Sequence, residues 1–231
     1  EIHLGVFFPS EHLDEYLKLE HTLIRKLKQA DAAVGTGVVL PGVSAYPPKD
    51  HYDADDIVGE IAQMARGGVR EVTLLGQTYD LASFRLPFNV LLQLQPDNGP
   101  GQVVYSLAGM VGCAGFNEHG LGININYLSS NDCRPGKLHA VVVRQVLAAR
   151  NLADAVAAPV TGPRAGGSHY LVADDAGHVV SVETSAERFW LFYADGRPYG
   201  HTNHYLSEWL QPRQVIRSTA IGSSIARYTA L

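Results

Sequence analysis

With 231 residues, 46% hydrophobic and 18% charged, the chain can bury a core as one large domain or two small ones. Its 18 Lys and Arg against 23 Asp and Glu give a formal net charge of -5, and no basic stripe with interleaved aromatics runs along it, which argues against a nucleic-acid partner. No apolar run reaches membrane-spanning length, so no membrane partner is expected, and two cysteines, Cys113 and Cys133, make no disulfide framework and point by default to a reducing cytoplasm.

The opening Glu1-Ile2-His3-Leu4-Gly5 has neither the basic nor the apolar region of a signal peptide, and its lack of Met implies a processed chain or a missing start. Residues 11–29 carry Leu13, Tyr16, Leu17, Leu23, Ile24 and Leu27 at helical spacing, with Ser10 as N-cap. Residues 35–55 hold Gly, Pro, Asp and Tyr without periodicity and read as a loop or linker. Strands are predicted at Ile61–Arg66 and Val69–Thr78 around the Gly67-Gly68 hairpin signal, then at Phe88–Gln95, Val103–Ala108, Val111–Phe116 and Leu121–Tyr127, with a turn at Gly99-Pro100-Gly101.

A helix is expected over 137–150, with Leu138, Val141, Val142, Gln145 and Val146 marking its faces. A short helix capped by Asn151, with Asp154 in its first turn, follows. Tyr170–Ala173, Val179–Glu183 and Phe189–Tyr193 are three further strands, with a turn at Asp174–Gly177 between the first two. Strands, then helices, then strands argue for an α+β protein with mainly antiparallel sheets.

Three pieces of the chain stand out chemically. Gly76-Gln77-Thr78-Tyr79-Asp80 closes an apolar strand. Ala108–Leu128 is glycine-rich and contains Phe116-Asn117-Glu118-His119-Gly120-Leu121, whose Asn117 and Gly120 suit turn geometry. His201-Thr202-Asn203-His204 follows a turn at Asp195-Gly196-Arg197-Pro198. Asp80 is also an ordinary turn residue and the tetrapeptide an ordinary polar loop, so the residues alone leave both readings open. His201 and His204 lie three apart, without the His-x-x-x-His spacing or a neighbouring ligand cluster, so no metal is expected.

In this order, the three pieces resemble the penicillin acyltransferase family of N-terminal-nucleophile (Ntn) hydrolases over about residues 59–230. The resemblance implies an αββα four-layer sandwich, with 1–58 as an N-terminal helical and loop segment and 59–231 as the core. It implies a precursor that cuts itself to expose a cysteine, whose α-amine then serves as its own base. Asp80 would position that nucleophile and Asn203 would donate to the oxyanion. Gln77, Tyr79, Asn126, Tyr127 and His201 would contact substrate, with Asn124 also on the pocket wall and Ser168-His169-Tyr170 as a further contact. The substrate would be a small acyl amide or acyl thioester, acyl-coenzyme A included. No metal or organic cofactor is implied, and a homo-oligomer and a processed α/β heterodimer are both compatible with it.

Two departures matter. No Cys, Ser or Thr lies between Ser44 and Thr73, and Val58-Gly59-Glu60 stands where Gly-Cys is expected, just before Ile61. A silent homologue, an engineered loss and residues omitted at the Glu60–Ile61 junction each account for this. The family also carries a later arginine facing the site, and no match for it is evident before Leu231. Cys113, between Gly112 and Ala114, is a substitute nucleophile under a classical cysteine-hydrolase reading, against the reading of a buried structural thiol. Cys133, in the polar loop Ser129–Gly136, reads as exposed.

Overall fold

The computed structural model describes residues 73, 75–77, 79, 85, 88–194, 199–215 and 218–229. The expected helix over 11–29, the loop over 35–55, the Glu60–Ile61 junction, the Gly67-Gly68 hairpin, the turn over 195–198 and Asp80 lie outside these residues. Of the expected strand Val69–Thr78, positions 73 and 75–77 are described and belong to no sheet. A strand is defined by its ladder, and the positions expected to pair with this one fall outside the described set. Contacts divide the chain into one unit of Glu1–Pro87 with Asp175–Gly177 and another of Phe88–Asp174 with His178–Leu231. The expected 58/59 boundary is likewise outside the described residues.

The second unit is built on one seven-stranded antiparallel sheet whose strands lie side by side in chain order. They are β1 (Asn89–Leu94), β2 (Gln102–Leu107), β3 (Ala114–Asn117), β4 (Gly122–Tyr127), β5 (Ser168–Ala173), β6 (Val179–Thr184) and β7 (Phe189–Tyr193). Helices α1 (His139–Leu147) and α2 (Leu152–Val160) form the β4–β5 connection, and α3 (Ser218–Thr229) follows a short 3-10 turn at Gln211–Arg213. The α+β reading holds. Among the described residues there is one sheet with a helical layer on one face.

Alternation along the strands decides which face takes the helices. Ile123 and Ile125 on β4 register with Val172 and Tyr170 on β5, which register with Val180 and Val182 on β6. This apolar face packs under α1 and α2, where Val142, Val143, Val146, Leu147 and Ala155 complete the core. Full burial of each large apolar side chain contributes about 1.5–3 kcal/mol. The buried stripe of α1 corrects the expected faces: Leu138 is 61% exposed and Val141 40% exposed. In a helix of nine residues, the pair Val142/Val143 and the pair Val146/Leu147 one turn later make a tighter stripe, and Leu138 lies outside the helix as its N-cap.

Gly115 lets α1 approach. A Cβ there would run into the Val103 carbonyl and would lie 3.1 Å from Leu147 Cδ1. The expected strand Val111–Phe116 is shorter at its start: the chain turns at Ala108-Gly109, closed by Met110 N–H to Leu107 O, and the strand begins only at Ala114. The next hairpin turns at Gly120, whose φ of 72° suits glycine. Asn117 organises it. Its Oδ1 accepts from His119 and Leu121 N–H, and its Nδ2 donates to Leu147 O and Ala149 O at the end of α1. Asn151 caps α2 as expected, accepting from Asp154 N–H at 2.9 Å.

Candidate functional site

The sheet face opposite the helices is polar at its centre. Asn124 and Asn126 on β4, His169 on β5, and Ser181 and Glu183 on β6 occupy the alternate positions, with Asn126, His169 and Glu183 in one cross-strand row. His169, Ser181 and Glu183 are each at most 2% exposed. A buried carboxylate and imidazole need partners, and residues 199–207 supply them.

Glu183 Oε1 accepts from His201 Nε2 at 2.8 Å and from Leu206 N–H at 2.6 Å, while Oε2 accepts from Ser207 N–H at 3.0 Å. His201 Nδ1 donates to Thr202 O at 2.6 Å. Both ring nitrogens thus face oxygen acceptors, an arrangement that an imidazolium paired with a carboxylate satisfies. The His201 ring stacks on His169 with centroids 3.6 Å apart. Burial, and then the charge at His201, hold the His169 pKa well below its usual 6.5. A neutral His169 assigns the network: Nδ1–H donates to Asn126 Oδ1, and Nε2 accepts from Ser181, both at 3.0 Å. Ser181 in turn accepts from the Tyr199 hydroxyl at 2.8 Å. Burial, with Glu183 adding to it, pushes Tyr199 up to about 12, so that hydroxyl keeps its proton.

Asn203 lies beside this network and is held at its backbone N–H and at both ends of its carboxamide. Its N–H donates to Ser224 Oγ at 2.8 Å. Its side-chain Oδ1 accepts from Arg227 at 3.0 Å, and its Nδ2 donates to the Tyr127 carbonyl at 3.1 Å. An Asn amide has two N–H groups, and no described group accepts from the second. Ser224, fully buried in α3, also accepts through its carbonyl from the Thr202 hydroxyl, and its Oγ lies 2.8 Å from His204 Nδ1. Burial, then the charge at His201, lowers the His204 pKa.

The structure brings together five of the residues singled out by sequence, namely Asn126, Tyr127, His169, His201 and Asn203. Tyr127 takes part through its backbone, its side chain being 64% exposed as a residue. The His201 side chain is 1% exposed and engaged at both nitrogens, so it braces the loop. Gln77, buried, and Tyr79, half-buried, belong to the first unit. Cys113 is buried in the β2–β3 connection and Cys133 is exposed. Among the described residues no group of three or more His, Cys, Asp or Glu is placed to hold a metal, and no described helix is long and apolar enough to cross a membrane.

Sequence reading missed Glu183, Ser224 and Arg227. The signal for Glu183 was present: Asn-x-Asn on β4 and Ser-x-Glu on β6 repeat every second residue, marking a polar stripe. Arg227 had no such signal. An arginine facing the site was expected in a later strand, whereas the one that reaches Asn203 comes from a helix.

Fold and site together define an α+β protein in which a carboxamide is tethered beside a buried polar face. The family described as "Acyl-coenzyme A:6-aminopenicillanic acid acyl-transferase" matches residues 67–231, and the chain belongs to that family. Among solved structures, it is similar to a penicillin V acylase from Agrobacterium tumefaciens, with 20% identity, 46% of this chain and 38% of that chain covered, and a TM-score of 0.35. It is also similar to a Caenorhabditis elegans N-acylethanolamine-hydrolyzing acid amidase ortholog, with 12% identity, 64% and 77% covered, and a TM-score of 0.42. The chain therefore spans well under half the length of the acylase. No curated protein matches it significantly.

Proposed function

We propose that the chain is part of a self-processing Ntn amide hydrolase or acyltransferase. A nucleophile exposed by self-cleavage attacks the carbonyl of an acyl amide or acyl thioester, such as an acyl-coenzyme A. The amine or thiol leaves, and the acyl-enzyme passes its acyl group to water or an amine. Asn203 supplies an oxyanion donor, Asp80 positions the nucleophile and its amine, and Gln77, Tyr79, Asn126 and Tyr127 contribute to the substrate pocket.

The observation that carries this reading is the tether on Asn203. An oxyanion donor must be oriented before the reaction. Arg227 on Oδ1 and Tyr127 O on Nδ2 fix the amide plane, leaving one N–H for a developing negative charge. Polarisation by the guanidinium strengthens that donor. The test is intact-mass analysis of the purified protein together with turnover of an acyl-coenzyme A. Self-cleavage yields a fragment beginning with Cys, Ser or Thr, whereas one uncut chain without acyl-thioester turnover sinks the proposal.

A second reading has its own observation. No Cys, Ser or Thr occurs between Ser44 and Thr73, as in a silent homologue that binds acyl compounds without turning them over. Such a protein carries a continuous Gly59-Glu60-Ile61 backbone and forms no adduct with an acylating probe.

A further inference from the structure

The buried Glu183–His201 pair calls for a reason beyond stability. Taking a carboxylate and an imidazolium out of water is costly, and a well-packed apolar pair of similar volume is often as stable. With the side chains only 3% and 1% exposed, the pair earns its place through geometry.

Resting on the acyl-transfer reading of Asn203, we propose that Glu183 and His201 are positioning residues that hold the Asn203 amide in place for the oxyanion. The grip begins on the sheet, where Glu183 registers with His169 and Trp190. One carboxylate then holds the chain on both sides of Asn203, through His201 before it and through the N–H groups of Leu206 and Ser207 after it. His201 relays the grip to a single peptide plane. Its Nδ1–H holds Thr202 O, and the N–H at the other end of that planar peptide is Asn203 N–H, held by Ser224 Oγ. With both ends fixed, the plane cannot rotate, and the Asn203 side chain leaves it towards Arg227 and Tyr127 O. Stacking on His169 closes off the free face of the imidazole.

The test compares Glu183→Gln, Asn203→Ala and the double variant in the full chain, using acetyl- and hexanoyl-coenzyme A as probes. Misplacing a catalytic donor costs up to about a hundredfold in rate. Glu183→Gln is therefore expected to lower kcat by about ten- to a hundredfold, with KM changed less than about threefold. The same change is expected to add less than about twofold in the Asn203→Ala background, because residues acting through one group are not additive. Unchanged kcat in folded Glu183→Gln, or effects that multiply in the double variant, would overturn the proposal.

A wild-type protein that stays uncut and turns over neither probe refutes the acyl-transfer reading separately, and positioning is then read by NMR. In Glu183→Gln the Asn203 side-chain amide is expected to lose its dispersed shifts and its exchange protection, while the Asn117 amide, remote from the loop, keeps both. An unmoved Asn203 amide overturns positioning. If Glu183→Gln fails to fold, His201→Gln leaves Glu183 its two backbone donors and is subject to the same criteria.

Discussion

His201 lies flat on His169, with ring centroids 3.6 Å apart and planes 6° from parallel. Two imidazoles at that distance cannot both carry charge cheaply. The pairing of His201 with Glu183 and of His169 with Ser181 and Asn126 divides the roles. The stack also makes the fold sensitive to acid. The His169 pKa is held well below 6.5, by burial first and His201 second. Below pH 6.5 the unfolded chain binds a proton at this position that the folded chain refuses, so stability is complete above that pH and drains away as pH falls towards the folded value. One such group supplies a slope of at most about 1.4 kcal/mol per pH unit. Thermal unfolding followed by circular dichroism from pH 8 to 5 is expected to show a Tm that falls below pH 6.5, with a shallower fall in His169→Gln.

Asn203→Ala removes the proposed oxyanion donor and is expected to lower kcat on acyl thioesters by about a hundred- to a thousandfold. Arg227→Met leaves the bond from Nδ2 to Tyr127 O in place and is expected to cost less, about tenfold. Steady-state kinetics on the two variants ranks them. Arg227→Met as damaging as Asn203→Ala would mean that the guanidinium acts directly on substrate.

The two thiols separate the cysteine-hydrolase reading from the structural one. Cys113 is fully buried and Cys133 exposed. A thiol reagent under native conditions is expected to titrate one cysteine, and two in denaturant, with peptide mapping placing the fast label on Cys133. Rapid native labelling of Cys113 would reopen its candidacy as nucleophile.

Gly115→Ala tests the seat of α1. The added methyl meets the Val103 carbonyl and Leu147 Cδ1, and the backbone carbonyl cannot swing aside as a long side chain would. Overpacking of this kind costs about 1–3 kcal/mol, to be read as a lower urea midpoint with an unchanged m-value.

From residue 88 onwards, the strands are legible in the sequence because period-two alternation and turn glycines both mark them. All seven described strands correspond to predicted ones, and β3 differs most because its glycines serve a turn as well as a ladder. Helix α3 escaped prediction. Its opening Ser-Thr-Ala-Ile-Gly-Ser-Ser is rich in weak helix formers, and its contacts with Thr202 and Asn203 are polar. Asn203 was legible from its motif, but its neighbours were not. Glu183, Ser224 and Arg227 lie 20 to 24 residues away, and only the folded sheet and helix bring them to one loop.

Asn117 ties two distances in the chain with one side chain. Its oxygen closes a turn spanning four residues, and its nitrogen reaches a carbonyl 30 residues on. The first pair of bonds can form as soon as the hairpin does, whereas the second waits until α1 has docked on the sheet. The two ends of this carboxamide therefore report different moments of folding. Asn117→Asp keeps the acceptor and loses the amide donors, so its penalty is expected mainly as faster unfolding. Asn117→Ala also loses the turn and is expected to slow refolding as well. Stopped-flow chevrons of the two variants place hairpin closure and helix docking in time order.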